Sequence, residues 1–274
     1  MQILPFRLQV IALSQEPRMN QQRRALEKLS DQHLEDRLHT PQSPEEHYVR
    51  AWDLPTRLFK WSLVVLILTA WISSGFSDPD MLVHKAAGYG ILVLLVYRGL
   101  WGVVGGSTAR FSNFVRSPAA AWHYLKSLRG KRTMHYLGHN PAGGLMVIGL
   151  LIVCAVQVLL GLFSSDGVTA SGPFADMVGD TISGWAASIH ATWFYVAILG
   201  LAFLHIAANL YYQFVKRENL IGAMVTGRKR RADYVDRNEA TGGSLPLAAI
   251  CLLVSAALVY GSITLLGGAF FNPA

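Results

Sequence analysis

Two histidines, His190 and His205, lie fifteen residues apart in one long apolar run. The run spans Ile189 to Tyr212 and holds no other ionisable side chain apart from tyrosine. On a helix, fifteen residues advance about 22 Å and rotate four turns plus about 60°. The two imidazoles therefore fall near opposite ends of one helix, on broadly the same side. The run is long and apolar enough to cross a bilayer, where an imidazole is costly and marks a functional site. Two at this separation point to two stacked cofactors rather than one compact metal site.

The elements that would position them are membrane helices. The chain has 274 residues, of which 52% are hydrophobic. Five stretches reach the length of about 20 residues needed to cross the hydrocarbon core: Leu58 to Phe76, His84 to Val104, Ala142 to Phe163, Ile189 to Tyr212 and Leu245 to Phe271. The first two are the least clean, with Lys60, His84, Lys85 and Arg98 near their ends. No secretory signal is evident, and the first 50 residues are polar. Within them Met19 to Leu38 reads as a charged helix, solvated or docking a partner. Its apolar stripe of Leu26, Leu29 and Leu34 is thin, and His33, His39 and His47 are too irregular for a metal site. Cys154 and Cys251 sit in apolar runs as ordinary buried thiols. The absence of CxxCH excludes covalent haem of the c type. The net charge of +7 does not imply nucleic-acid binding, because the basic residues flank membrane segments, where headgroups and orientation account for them.

Orientation follows from charge. The loop from Arg98 to His139 has seven Lys/Arg residues and no acid, and Tyr211 to Ser244 has seven more, including Arg228 to Arg231. The loop from Leu162 to Ala187 has Asp166, Asp176 and Asp180 with no Lys or Arg, and the short first loop has Asp78 and Asp80. The positive-inside rule predicts that the N-terminus, the Arg98 loop and the Tyr211 segment lie in the cytoplasm. Five spans then put the C-terminus outside. The fifth span follows a polar linker of about 25 residues, lacks a candidate ligand, and is rich in small residues that suit packing against a neighbour.

With this orientation His190 is near the outer face, His205 near the inner face, and His84 outer. His84 and His190 thus form a level pair on different helices. Two neutral imidazoles facing each other across a bundle suit the axial positions of a low-spin haem b. The plainer alternative is two structural histidines, each hydrogen-bonded within the bundle. At the inner level His205 has no histidine opposite it, and the residue at the right depth on the first span is Lys60. A deprotonated lysine amine can coordinate iron. Otherwise Lys60 snorkels to inner headgroups or neutralises a haem propionate.

The ordered segments VRAWDLPTRLFKW (Val49 to Trp61), HKAAGY (His84 to Tyr89), YRGLWG (Tyr97 to Gly102), RFSNFVRSP (Arg110 to Pro118), YLGHNPAGG (Tyr136 to Gly144), the regions of His190 and His205, and KRENLIGAMVTGRK (Lys216 to Lys229) resemble one family. It is the bacterial cytochrome b561 and nickel–iron hydrogenase b-type cytochrome family, the di-haem membrane cytochromes b. The resemblance covers roughly residues 48 to 230 and is specific as a set. It implies an all-α integral membrane protein of the bacterial inner membrane, its C-terminus in the periplasm, with a four-helix haem-binding bundle (48–230) preceded by a polar cytoplasmic extension (1–47) and followed by a linker and fifth transmembrane helix (231–274). It implies two non-covalent haems b, the outer held by His84 and His190, the inner by His205 and the position of Lys60. The family has histidine where this chain has Lys60, so three readings stay open: lysine–histidine ligation, a five-coordinate or otherwise ligated inner haem, or no inner haem.

For the haem propionates, Arg57 and Arg110 near the inner face and Lys85 beside the outer pair are the cationic candidates. Asn140 before Pro141 reads as a helix cap, and His139 as a weak candidate for a quinone-side role. Gly88, Gly90, Gly143 and Gly144 suit close helix or porphyrin approach. Trp61, Trp71, Trp101, Trp185 and Trp193 read as an aromatic belt, and Phe111, Phe114 and Trp122 as residues of the membrane surface. The expected function is electron transfer between membrane quinone or quinol and a redox partner, such as a periplasmic cytochrome c or a dehydrogenase- or hydrogenase-like subunit. Homo- or hetero-oligomers are compatible with it. The alternative is a membrane anchor or assembly subunit with one haem. A transporter is disfavoured by the lack of repeated halves and of charge in the third and fifth spans. No nucleophile triad, phosphate loop or HExxH occurs, so any chemistry is that of a cofactor.

Overall fold

Asp53 starts the first membrane helix. In the computed structural model its carboxylate Oδ1 accepts from Thr56 N at 2.7 Å, with Pro55 inside the first turn. Such a cap contributes about 1 kcal/mol, and it moves the start of the helix upstream of the sequence expectation. The structure describes residues 23–24, 26–29, 48–75, 81–128, 134–168, 170–268 and 270. The chain divides into two units, Met1–His47 and Tyr48–Ala274. In the first, residues 23–24 and 26–29 are helical and exposed. The rest of the expected 19–38 helix, and His33, His39, His47, Asp78 and Asp80, lie outside the described residues.

The second unit runs β1 (Tyr48–Arg50), α1 (Leu54–Ser73), α2 (Leu82–Val104), α3 (Phe111–Phe114), α4 (Pro118–Ser127), α5 (Pro141–Leu162), α6 (Ala175–Trp193), a π-helical turn (Phe194–Ile198), α7 (Leu199–Phe214), α8 (Leu220–Thr226), β2 (Arg228–Arg230) and α9 (Leu245–Leu265). Among the described residues five helices are long and apolar enough to cross a membrane: α1, α2, α5, the kinked α6–α7 rod, and α9. Their outward faces are apolar, as a lipid solvent requires; Phe203 and Leu253 are 75% and 70% exposed. The protein is an all-α, multi-pass membrane protein.

The fourth span begins earlier than its hydropathy indicates. Helix α6 starts at Ala175, kinks at Gly179, where φ is +76°, and continues through the π turn to Phe214. Asp, Ser and Thr in its first turns hide it from an apolar-run reading. The π turn inserts one extra residue into the helical count. It changes the angle between His190 and His205 from about +60° to about −40°, bringing both imidazoles nearer one face of the rod.

At the end of the bundle carrying the basic loops, β1 and β2 pair antiparallel, Tyr48 with Arg230 and Arg50 with Arg228. This ties the entry to α1 to the exit from α8. Asn140 caps α5, its Oδ1 accepting from Gly143 N at 2.8 Å. Asn140 Nδ2 also donates to Tyr212 Oη, which lies 2.7 Å from Tyr124 Oη. Burial, then the Tyr212 hydrogen bond, push the Tyr124 phenol above its ordinary range. The linker before α9 is strapped down rather than free. Ala240 N donates to Arg50 O, Ser107 N to Thr241 O, and Thr241 N to Ser107 Oγ. Helix α9 then buries Ala248, Cys251, Ser255, Val259 and Ile263 along one stripe. Ala248 and Cys251 join Phe59, Tyr97 and Trp101, and Val259 and Ile263 join Ile91, Val158 and Leu162. The neighbour that its small residues anticipate is this chain's own bundle.

Two aromatic expectations change. Trp101 is fully buried and donates from Nε1 to Thr56 Oγ1 at 3.1 Å, so it belongs to the core and not to an interfacial belt. Phe114 is buried too, whereas Trp122 on α4 is exposed beneath the Lys126 ammonium.

Candidate functional site

His84 sits in the first turn of α2 and His190 near the end of α6. Their rings face each other with centroids 6.0 Å apart and planes at 74°. His84 Nδ1 lies 2.8 Å from Ala70 O on α1, and His190 Nδ1 lies 2.9 Å from Gln157 O on α5. Each carbonyl fixes the tautomer with the proton on Nδ1 and the lone pair on Nε2, the nitrogen a metal would take; on His190 that lone pair accepts from the Gln157 side-chain amide at 3.1 Å, so a metal would displace this amide. Two imidazoles so placed would hold a haem iron between them. Among the described residues no three His, Cys, Asp or Glu side chains converge on one metal position. A pair of imidazoles suits a haem iron, for which His84 and His190 would be the protein ligands.

The pair opens on a cavity of about 340 Å³ lined by His84, Lys85, Gly88, Gln157, Gly161 and His190, among others. The glycines differ in what they do. A Cβ on Gly88 would meet nothing within 4 Å, so this glycine leaves open space facing the cavity. A Cβ on Gly161 would lie 3.0 Å from His190 Cε1, so the imidazole seats against bare backbone. Gly90 and Gly144 instead admit Leu66 and Phe114, and serve helix packing. Lys85 Nζ and Gln157 Oε1 are buried without a hydrogen-bond partner, one donor and one acceptor in a cavity otherwise mostly apolar. These residues fit a b haem between His84 and His190. Gln157, whose backbone and side-chain amide both reach His190, escaped the sequence reading. A lone amide in the apolar third span was the available signal.

The inner residues are arranged less simply. His205 Nε2 lies 3.2 Å from Asn209 Nδ2, and its ring is exposed. Lys60 Nζ donates to Met224 Sδ at 3.2 Å and stands 4.3 Å over the Trp52 ring. Lys60 and His205 lie within electrostatic reach of each other. Arg57 is committed elsewhere: it donates to Met224 O at 3.3 Å and to Val225 O, closing the last turn of α8. Arg110 Nε is buried and has no hydrogen-bond partner. His139 is wedged between Trp52 and Phe114, at 4.8 and 4.6 Å. Its pKa is held well below the ordinary imidazole value by burial, then by the charges of Lys60, Arg98 and Lys229 and by His205.

The profile of the prokaryotic cytochrome b561 family matches residues 51–227. A probable Ni/Fe-hydrogenase B-type cytochrome subunit of Azotobacter vinelandii is 27% identical over 213 residues, covering 65% of this chain and 87% of that protein. The protein of the same description in Bradyrhizobium diazoefficiens is 22% identical over 221 residues, covering 68% and 87%. No solved structure matches the chain significantly. The match runs from the residue after β1 to the end of α8, taking in His84, His190 and His205, and the chain belongs to the prokaryotic cytochrome b561 family of b-haem membrane electron-transfer proteins.

Proposed function

We propose that this chain passes electrons across the bacterial inner membrane, between membrane quinone or quinol and a redox partner protein, through two stacked b haems. The observation that carries the reading is the His84–His190 pair, with ring centroids at 6.0 Å and each Nδ1 held by a backbone carbonyl. A bound haem iron cycles between ferric and ferrous states and so carries one electron. The protein's part is to fix the two imidazoles, exclude water with an apolar wall, and set the spacing of the two levels. His205 lies about 20 Å along the same rod, and the π turn brings it nearer the face of His190. Lys60 on α1 lies within electrostatic reach of it. The N-terminus and basic loops face the cytoplasm and the acidic loop the periplasm, as charge asymmetry directs. The printed descriptions of the relatives favour a hydrogenase-like oxidoreductase as partner; a periplasmic cytochrome c has the same role in this scheme. Residues 1–47 and 231–274 flank the haem-binding region.

The purified full-length protein should carry two haems b per chain by haemochrome assay, and both should be reduced by added quinol in proteoliposomes. One haem and no reduction by quinol would replace this reading with that of a single-haem anchor subunit. The contact of Lys60 with Trp52 and Met224, rather than with His205, favours that second reading.

Gly161 gives a finer test of the outer site. A Cβ at 3.0 Å from His190 Cε1 requires the imidazole to tilt. Gly161→Ala should therefore keep the haem count and shift the low-spin EPR signal of the outer haem alone. An unchanged signal would remove His190 from the iron.

A further inference from the structure

Beyond the two histidine levels, the basic end of the bundle holds four buried nitrogens without hydrogen-bond partners: Trp52 Nε1, Arg98 Nη1, Arg110 Nε and His139 Nδ1. Trp52, His139 and Arg98 are linked through shared rings, and Arg110 follows the residue whose carbonyl Arg98 holds. The Arg98 guanidinium lies 4.5 Å from the Phe111 ring and 5.9 Å from that of Phe114. Phe114 touches His139, His139 touches Trp52, and Trp52 carries Lys60. Arg98 Nη2 donates to Ala109 O, the carbonyl next to Arg110. Arg98 and Trp52 are 2% and 4% exposed.

Charge here is unbalanced. Lys60, Arg98 and Arg110 bring three cations. One buried acid, Asp53, lies within electrostatic reach of Lys60 and Arg98 and offsets one of the three; its Oδ1 accepts from Thr56 N, and its Oδ2, beside Gly106 and Gly243, has no hydrogen-bond partner. Glu218 is taken by Lys229 at 2.8 Å. Surplus cations and unpaired donors out of water carry a large desolvation cost, which an anion bearing several acceptor oxygens offsets. Planar guanidinium groups match carboxylates, and both His139 and Lys60 lie within electrostatic reach of His205.

We propose that Arg98, Arg110, His139 and Trp52 form a carboxylate cradle that receives the propionates of the inner haem, with Arg98 as its buried anchor. The assignment rests on the two-haem reading above. It moves the propionate role from Arg57, whose donors are engaged with α8, to Arg98, which sequence position alone makes an ordinary end-of-helix charge.

The test uses the full-length protein in nanodiscs, with the outer haem as internal control. Arg110→Gln and Arg98→Lys should each speed loss of one haem to apomyoglobin about tenfold, the scale of a charge-assisted hydrogen bond. Arg110→Gln should also lower the midpoint potential of that haem, because a cation near the propionates favours the ferrous form, while Arg110→Lys restores it. The outer signal should stay in place in all three. Two retained haems with parental loss rates and potentials overturn the cradle and leave the two-haem reading standing. A parent protein that holds only the outer haem overturns both.

Discussion

Replacing His84 or His190 by alanine should take the haem content from about two per chain to about one, with the five membrane helices still inserted. The effect is large because these two imidazoles face each other and each is oriented by a backbone carbonyl. The rest of the cavity wall is mostly apolar. The structural cost is small by comparison. His84→Ala loses one hydrogen bond to Ala70 O, a net contribution of about 1 kcal/mol. The two variants should fail alike, since a low-spin bis-imidazole iron needs both partners. The measurements are haemochrome stoichiometry, low-temperature EPR and circular dichroism on the same samples. Retention of two low-spin haems in either variant would return the pair to the role of structural histidines joining α1, α2, α5 and α6.

Quinol oxidation follows the same logic. If electrons must cross both levels, either variant should abolish transfer across the membrane while leaving the remaining haem reducible by dithionite. A chain that still reduces an external acceptor at the parental rate would not be routing electrons through the His84–His190 level.

The sequence was most readable where one physical rule acted alone. Spans α2, α5 and α9 follow from hydropathy and length, and the outer pair follows from the depth at which charge asymmetry puts His84 and His190. Readability ended where two demands competed. The turns before Ile189 are helical but polar, so hydropathy missed them, although Ala175, Ser183 and Ala186 bury one face. The π turn has no periodic signature short enough to see, yet it resets the phase between the two histidines. Trp101 follows the belt rule by position and breaks it by contact, because Thr56 offers its indole an acceptor inside the bundle. The partners of the imidazoles, Ala70 O and Gln157 O, are backbone groups, which a residue-type reading cannot single out. The sequence marked Arg57 as a propionate candidate and Arg98 only as a flanking charge; packing shows that Arg57 is closed off by α8, whereas Arg98 Nη1 is buried without a partner.

Lys60 gives the second large effect, and its direction decides how the inner level works. To bind iron the amine must lose its proton and leave the face of Trp52, a cation–aromatic contact of about 0.5–2 kcal/mol, together with the Met224 sulfur. Iron–amine bonding can offset that loss only if the haem sits close enough to draw the side chain away. If it does, Lys60→Leu should convert the inner haem from a low-spin to a high-spin ferric signal while the stoichiometry stays near two, because His205 and the carboxylate cradle still hold it. Lys60→His should keep it low-spin and change its potential; each tenfold change in the preference of the ligand for ferric over ferrous iron moves a one-electron couple by about 59 mV. If Lys60 is instead only a cation near the haem, Lys60→Leu leaves the spin state untouched and merely lowers the potential. The two outcomes are distinguished in one EPR spectrum. An inner signal identical to the parent in both variants, at the same potential, would take Lys60 out of the site altogether.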